Sequence, residues 1–432
     1  MKFIILGAGS RGSAYARHIL ENKDRARVVA VAEPDPVRRS SLADLHGVGE
    51  ENRFSEWKEV AEKDRFADAV VIAVQDDMHL ESTLAFLKKG YHVLLEKPLA
   101  PSVEDCCRIY MAAKASGVLF AVCHVLRYTT YTAKMKTLLD QGVIGDIVSM
   151  QHLEPVGYYH QAHSFVRGNW RNEKMSSPML LAKACHDLDW IRYIMDSRCE
   201  SITSFGNLRH FKIENAPENS AERCLDCACE TECPYSAKKI YIKRAEAGDL
   251  DWPNRTITND LTLEGVRSAI ETGPYGRCVY RCDNDVVDHQ VVNMLFEDGR
   301  TASFTMTAFT DMVGRKTRVF GTKGCMEGDQ DHIKILDFLT DEEVEIETSP
   351  EDSTILGGHG GGDKGLIDAF INAVETGDRS QIISGAEETI ESHMMVFAAE
   401  RSRRERAVVN MREFTAEHLE SSSVNAGCKS EK

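Results

Sequence analysis

The feature that most constrains this chain lies at its start. The apolar run Phe3 to Leu6 feeds directly into Gly7-Ala8-Gly9-Ser10-Arg11-Gly12, a helix-like stretch follows from Ser13 to Leu20, and a second apolar run, Val28 to Ala32, closes on Glu33. Strand, glycine turn, helix and second strand ending in an acid make the βαβ unit that binds a dinucleotide. Gly7 permits the tight turn out of the strand, Gly9 lets the backbone approach a pyrophosphate, and Gly12 lets the helix lie close to the sheet. Ser10 and Arg11 lead into the helix, whose N-terminus supplies free N–H groups and a dipole that favour phosphate. These five positions and Glu33 are the expected cofactor-binding residues. A carboxylate at Glu33 would bond the adenosine ribose hydroxyls and repel a 2′-phosphate, so NAD is expected in preference to NADP, with Arg38 and Arg39 tempering that preference.

A chain of 432 residues holds two or three domains and a large core. Its net charge of −16 argues against a nucleic-acid or anionic-membrane surface, either of which would want a basic patch. No run approaches the roughly 18 apolar residues of a membrane span, and Met1 leads straight into the first strand without an apolar signal segment. A cytoplasmic protein is expected, its thirteen cysteines reduced or metal-bound.

Strand-like and helix-like stretches alternate through the first part. Ala69 to Val74, His92 to Leu95 and Val118 to Cys123 read as strands, and Leu80 to Lys89 and Val103 to Ala115 as helices. That is the rhythm of a parallel doubly wound sheet, here a Rossmann domain over 1–123. Beyond it, a helix (Tyr131 to Gln141) precedes alternating runs at Ile147 to Leu153, Val286 to Phe296, Thr301 to Phe309 and Thr317 to Phe320. They suggest a mostly antiparallel, open-faced sheet in a C-terminal α+β domain over 124–420. A polar, cysteine-bearing insertion spans about 211–276, and a polar tail, 421–432, is expected to be disordered.

The glycine turn, Glu96-Lys97-Pro98 after a strand, and His186-Asp187-Leu188-Asp189 at the start of a helix together resemble the Gfo/Idh/MocA oxidoreductase family. The resemblance spans nearly the whole chain and implies NAD(P) and hydride transfer at a carbon bearing a hydroxyl, in a sugar or cyclitol. Open sheet faces in this family pair, which implies a homodimer or homotetramer. Many members carry an aspartate four residues before the motif histidine, where this chain has Ala182, with Lys183 and Cys185 nearby. In that respect it resembles a subgroup of mostly uncharacterised members.

By the resemblance, Lys97 and His186 are the catalytic pair. One turn before His186, Lys183 would share its helical face and could replace the missing aspartate as a charge beside it, with a surface salt-bridge lysine as the other reading. Glu96, Lys97, Gln75, Asp76 and His79 would line the cofactor groove. Arg127, Tyr128, Arg167, Trp170 and Arg171 are substrate candidates, since arginine forks and an indole face suit a polyhydroxylated or acidic ligand; interdomain packing is the other reading. In Gly357-Gly358-His359-Gly360-Gly361-Gly362-Asp363, the glycines imply a flexible loop or a close backbone approach, with Asp363 as helix N-cap. Similarity of this element to the NAD-dependent glycosidase branch places His359 near a sugar. Cys224-x2-Cys227-x-Cys229-x3-Cys233 favours a metal over disulfides in a reducing compartment, and a structural zinc using three of these and one more cysteine would staple the insertion. Reduced thiols in a loop are the alternative. The expected activity is an NAD-dependent sugar or cyclitol dehydrogenase. The alternatives are an NAD-dependent glycosidase acting by transient oxidation and elimination, and a non-catalytic sugar or nucleotide sensor.

Overall fold

The computed structural model describes residues 1–348 and 360–427. The first sheet grows from strands that are apolar on both faces, as burial between two helical layers requires. Its members are β1 (Lys2–Leu6), β2 (Arg27–Ala32), β3 (Arg53–Phe54), β4 (Ala69–Ile72), β5 (His92–Leu95) and β6 (Phe120–Val122), all parallel and in the order β3-β2-β1-β4-β5-β6. Strand order reverses between β1 and β4, and a ligand crevice opens there, beyond the strands' C-terminal ends. The glycine turn after β1 lies at this crevice.

Nine strands form the second sheet, in the order β14-β13-β12-β11-β7-β10-β9-β8-β15. They are β7 (Ile147–Pro155), β8 (Cys199–Asn207), β9 (His289–Phe296), β10 (Thr301–Thr307), β11 (Lys316–Gly321), β12 (Gly324–Gly328), β13 (His332–Asp337), β14 (Glu343–Glu347) and β15 (Val409–Asn410). Every neighbouring pair is antiparallel except β7 and β10. Period-2 burial divides the faces: Met150, His152, Val292, Met294, Phe304 and Met306 point inward, while Gln151 and Asn293 are exposed. The helices Cys185–Met195 and Ala386–Glu405 pack over the inner face.

Two contacts hold the sheets in one arrangement. Arg127, just after β6, forks onto both carboxylate oxygens of Asp189 at 2.7 and 2.8 Å, and Ser392 donates to the same carboxylate. The helix Gly362–Thr376 returns to the first sheet, where Leu366, Ile367 and Phe370 are fully buried and Phe370 lies 6.1 Å from Phe3. Thus part of the stretch expected to belong wholly to the second domain packs on the first. The insertion has its own apolar cluster, including Phe211, Tyr241, Val266 and Ile270. The final helix, Met411–Gly427, continues through the start of the tail expected to be disordered. Among the described residues no helix is long and apolar enough to cross a membrane.

The Asp189 fork makes stability depend on pH. Burial alone would raise this carboxyl, but Arg127 and His124 outweigh it and hold the group below its usual range. A depressed carboxyl contributes stability above its unfolded pKa of about 4 and loses it as pH falls through that range. Asp189→Asn should lower unfolding stability by about 3–5 kcal/mol at neutral pH, because it leaves Arg127 buried and unpaired. In urea titrations the gap from wild type should narrow steadily below about pH 4; a constant gap would contradict the assignment.

Candidate functional site

Ideal Cβ atoms test the glycine turn position by position. At Gly7, where φ is +89°, a Cβ would lie 2.3 Å from the Ala73 carbonyl oxygen, and at Gly12 it would lie 1.9 Å from that of Gly7. Both are demanded by packing. At Gly9 nothing stands within 4 Å, so the missing side chain leaves open space in front of the helix Ser10–Glu21, whose first turn has no side-chain cap. A pyrophosphate fits that cradle and its free N–H groups. Ser10 is exposed beside it. At the end of β2, Glu33 accepts from the Ala8 N–H at 2.7 Å and the Asp35 N–H at 3.1 Å, which fixes its carboxylate beside the turn. Arg39 bonds the Glu33 carbonyl, and Arg38 is exposed.

The other wall of the crevice is the turn after β5. Glu96 is buried and accepts from Arg11 Nε at 2.7 Å, Tyr15 Oη at 2.7 Å and the Lys97 N–H at 2.6 Å. Burial would raise its carboxyl, yet Arg11 and Lys97 outweigh burial and keep it ionised below the usual range. Arg11 also forks onto Asp363 at 2.6 and 3.0 Å. Two carboxylates thus claim the Arg11 guanidinium, while its backbone N–H stays in the first turn of the helix Ser10–Glu21. Asp363 likewise is no N-cap, since Gly361 holds that position and the aspartate lies inside the helix. The glycines around it approach protein backbone, with Gly362 and Gly365 packed against the carbonyls of Val125 and Tyr128.

Lys97 precedes a cis peptide bond to Pro98, and its Nζ donates to the Ala182 carbonyl at 2.8 Å. His79 does not line the groove. It is fully buried, with Nδ1 2.8 Å from the Pro98 carbonyl, and supports the turn from beneath. Gln75 is exposed and Asp76 half-buried at the end of β4. Desolvation pushes the Asp76 carboxyl upward against the pull of His79 and Lys97, and the exposed Trp170 bonds its side chain.

The second sheet's helices supply the facing wall. His186 lies in the first turn of Cys185–Met195, 5% exposed, with its ring edge-on to His124 at a centroid distance of 5.8 Å. Burial drives the His124 imidazolium down to about 4, so that ring is neutral at pH 7. Lys183 does not share a helical face with His186, because the short helix Met179–Ala182 ends before it and a new helix starts at Cys185. Its Nζ instead pairs with Glu154 Oε1 at 2.9 Å, and Arg315 takes the other oxygen at 2.9 Å. Sequence reasoning missed His160. This half-buried ring is held well below its usual pKa, first by desolvation and then by the charge of Lys183. It packs edge-on to Trp252 of the insertion at 5.0 Å. No motif marks it; the aromatic and histidine density of Tyr158-Tyr159-His160-Gln161-Ala162-His163 was the available signal.

Several substrate candidates are engaged elsewhere. Arg127 is buried against Asp189, and Tyr128 bonds Ser384 at 3.0 Å and the Ile383 N–H at 3.1 Å. Arg167 is fully buried in the insertion's core, and Arg171 pairs with Asp283 at 2.9 Å. Only Trp170 of that set reaches the crevice. His359 lies outside the described residues. Cys224, Cys227, Cys229 and Cys233 form no disulfide, and among the described residues no three metal-ligating side chains stand in ligand geometry.

Known proteins share this plan. The family model of the oxidoreductase family with an NAD-binding Rossmann fold matches residues 1–124, and that of its C-terminal alpha/beta domain matches residues 136–411. The Bacillus subtilis protein YteT is 25% identical over 409 residues, covering 90% of this chain and 92% of the relative. Inositol 2-dehydrogenase 3 of Saccharopolyspora erythraea is 32% identical over 277 residues, covering 62% of this chain and 77% of the relative. A levoglucosan dehydrogenase solved with NADH and levoglucosan has the same fold, with a TM-score of 0.70 at 17% identity over 95% of this chain and 99% of that one. With both halves matched in order and the glycine cradle built as that fold requires, the chain belongs to the Gfo/Idh/MocA family of NAD-binding oxidoreductases.

Proposed function

We propose that this enzyme oxidises a secondary alcohol of a sugar or cyclitol with NAD, with Lys97 and His186 as the catalytic pair. One observation carries the reading. The Lys97 ammonium crosses from the cofactor wall to the Ala182 carbonyl at 2.8 Å, four residues before His186, which supports reading the two as a pair contributed by facing walls of the crevice. A hydroxyl bound there would displace the carbonyl as the lysine's partner. Lys97 would hold the oxygen as its charge develops, and His186 would take the proton. Bound NAD supplies the hydride acceptor, leaving a ketone, NADH and one proton. Trp170, Asp76 and the neutral His160 offer an apolar face and polar contacts for a polyhydroxylated ring. Similarity to an inositol dehydrogenase and to the fold of a levoglucosan dehydrogenase supports that substrate class. We further assign the preference for NAD over NADP to the Glu33 carboxylate.

A second reading has one observation in its favour. The insertion reaches the adenosine side of the crevice, where Asn259 bonds Asp35 at 2.9 Å. A covered cofactor suits a cycle in which NAD stays bound, oxidises a glycoside transiently, and recovers its hydride after elimination. An assay of sugars, cyclitols and glycosides separates the two: NADH accumulates in step with substrate for the dehydrogenase, and aglycone appears without net NADH for the elimination.

Lys97→Ala should keep NAD affinity within a few-fold by calorimetry while turnover falls by about 10²–10⁴. Turnover within tenfold of wild type would remove Lys97 from the reaction. Glu33→Gln should shift the NAD to NADP dissociation-constant ratio by about tenfold or more toward NADP; an unmoved ratio would show that Glu33 does not read the ribose.

A further inference from the structure

The insertion carries chemistry that the proposed reaction does not use. An isolated bridge pairs Arg223 with Arg277, and the Cys278 N–H donates to the Glu222 carbonyl at 2.8 Å. These contacts bring Cys224 and Cys278, which are far apart in the chain, side by side. Cys224, Cys227, Cys229, Cys233 and Cys278 then line a single cavity of about 20 Å³. A cavity needs about 10–15 Å³ to hold one water, so this space admits an occupant of atomic size and excludes a sugar, a nucleotide or a cubane cluster. Cys282 lines a different, larger surface pocket and donates to the Cys278 carbonyl at 3.3 Å.

Charge supplies a second, independent observation. Arg167 is fully buried and lines the cavity; its guanidinium donates to the Arg277 carbonyl at 2.8 Å, the Tyr235 carbonyl at 2.8 Å and Cys224 Sγ at 3.4 Å. Its Nη1 has no hydrogen-bond partner, and among the described residues no carboxylate pairs with it. Glu230, the acid in the cavity wall, accepts from Ser236 at 2.8 Å and pairs with Lys238 at 3.5 Å. A buried cation without an anion is costly, and the groups it faces are thiols. Four thiolates on one divalent ion carry a net charge of about −2, and donors to metal-bound sulfur are the usual outer-shell support of such a site.

We propose that the insertion is a zinc module in which Cys224, Cys227, Cys233 and Cys278 hold one ion and Arg167 supplies the outer-shell counter-charge. Cys224-x2-Cys227 has the spacing of a chelating pair, the bridge sets Cys278 beside Cys224, and Cys233 supplies the fourth thiol of the cavity wall. Binding releases the thiol protons to solvent and turns the sulfurs about χ1 onto the cavity, since they do not yet stand in ligand geometry. Four protein ligands close the coordination sphere, so the role is structural. The module would anchor Arg167 at the end of the segment Gln161–Arg167, which follows directly on His160.

The full chain, expressed with supplementary zinc and purified without chelator, should contain about one zinc per chain and no acid-labile sulfide. Exchange for cobalt should give the strong d–d and thiolate-to-cobalt bands of a tetrahedral tetrathiolate. Cys224→Ser and Cys278→Ser should lose the metal, whereas Cys229→Ser and Cys282→Ser should keep it. Should the first pair fail to fold, a mercurial titration of the wild type with a chromogenic chelator still decides, as zinc should leave in step with modified thiols. A wild-type chain free of zinc after reconstitution, full zinc in a folded Cys278→Ser variant, or an iron–sulfide chromophore would overturn the proposal.

Discussion

The arrangement around the crevice depends on the guanidinium of Arg11. It binds Glu96 at the end of a central strand and Asp363 in the returning helix Gly362–Thr376, two carboxylates that are each almost fully buried. Remove the cation and two desolvated anions are left close together, a cost of several kcal/mol for each. With it in place, Glu96 is ionised and fixed, its second oxygen takes the Lys97 N–H, and the lysine side chain is aimed across the crevice. The same side chain ties the start of the chain to a helix more than three hundred residues later. Cofactor cradle, Glu96-Lys97 turn and returning helix therefore form one electrostatic unit.

How much of this was legible depends on what carries the signal. The parallel strands were readable because burial on both faces leaves continuous apolar runs, and the three glycines because each answers a separate geometric demand. β8 was missed, as were β12 to β14. Apart from β8 these strands are short, and β14, Glu343–Glu347, is a charged edge in which period-2 apolarity is faint. The meeting of Lys97 with the segment before His186 was accessible only through family resemblance. Its actual partner, the Ala182 carbonyl, has no residue identity to read.

The arginines make the same point from the other side. Arg127, Arg167 and Arg171 lie near the motifs in sequence, and an arginine fork suits a carbohydrate as well as it suits a carboxylate. What decides among these roles is the partner. For Arg127 it is Asp189, for Arg167 two backbone carbonyls and a thiol, and for Arg171 Asp283, all distant along the chain. The one aromatic of that group, Trp170, remained at the crevice because an indole N–H can bond Asp76 while its face stays available. His160 has the opposite history: only the local density of aromatic and histidine residues marks it, and its ring contact is with Trp252, far along the chain.

Charge balance across the second wall bears on the Ala182 departure. Lys183 and Arg315 are two cations, Glu154 and Asp187 two anions, and the four are linked by contacts of 2.5 to 2.9 Å. Burial would raise the Asp187 carboxyl, but Arg315 and His152 hold it far below its usual range. The network is neutral as a whole and leaves no surplus charge to stand in for the missing aspartate. The Lys97 ammonium accordingly meets a carbonyl dipole on that wall, with a neutral imidazole at His160 nearby. A carbonyl holds a cation less tightly than a carboxylate would, and a substrate oxygen that gains negative charge can displace it. In the proposed reaction, a carbonyl at this place would leave the Lys97 ammonium freer to bond the reacting oxygen than a carboxylate would.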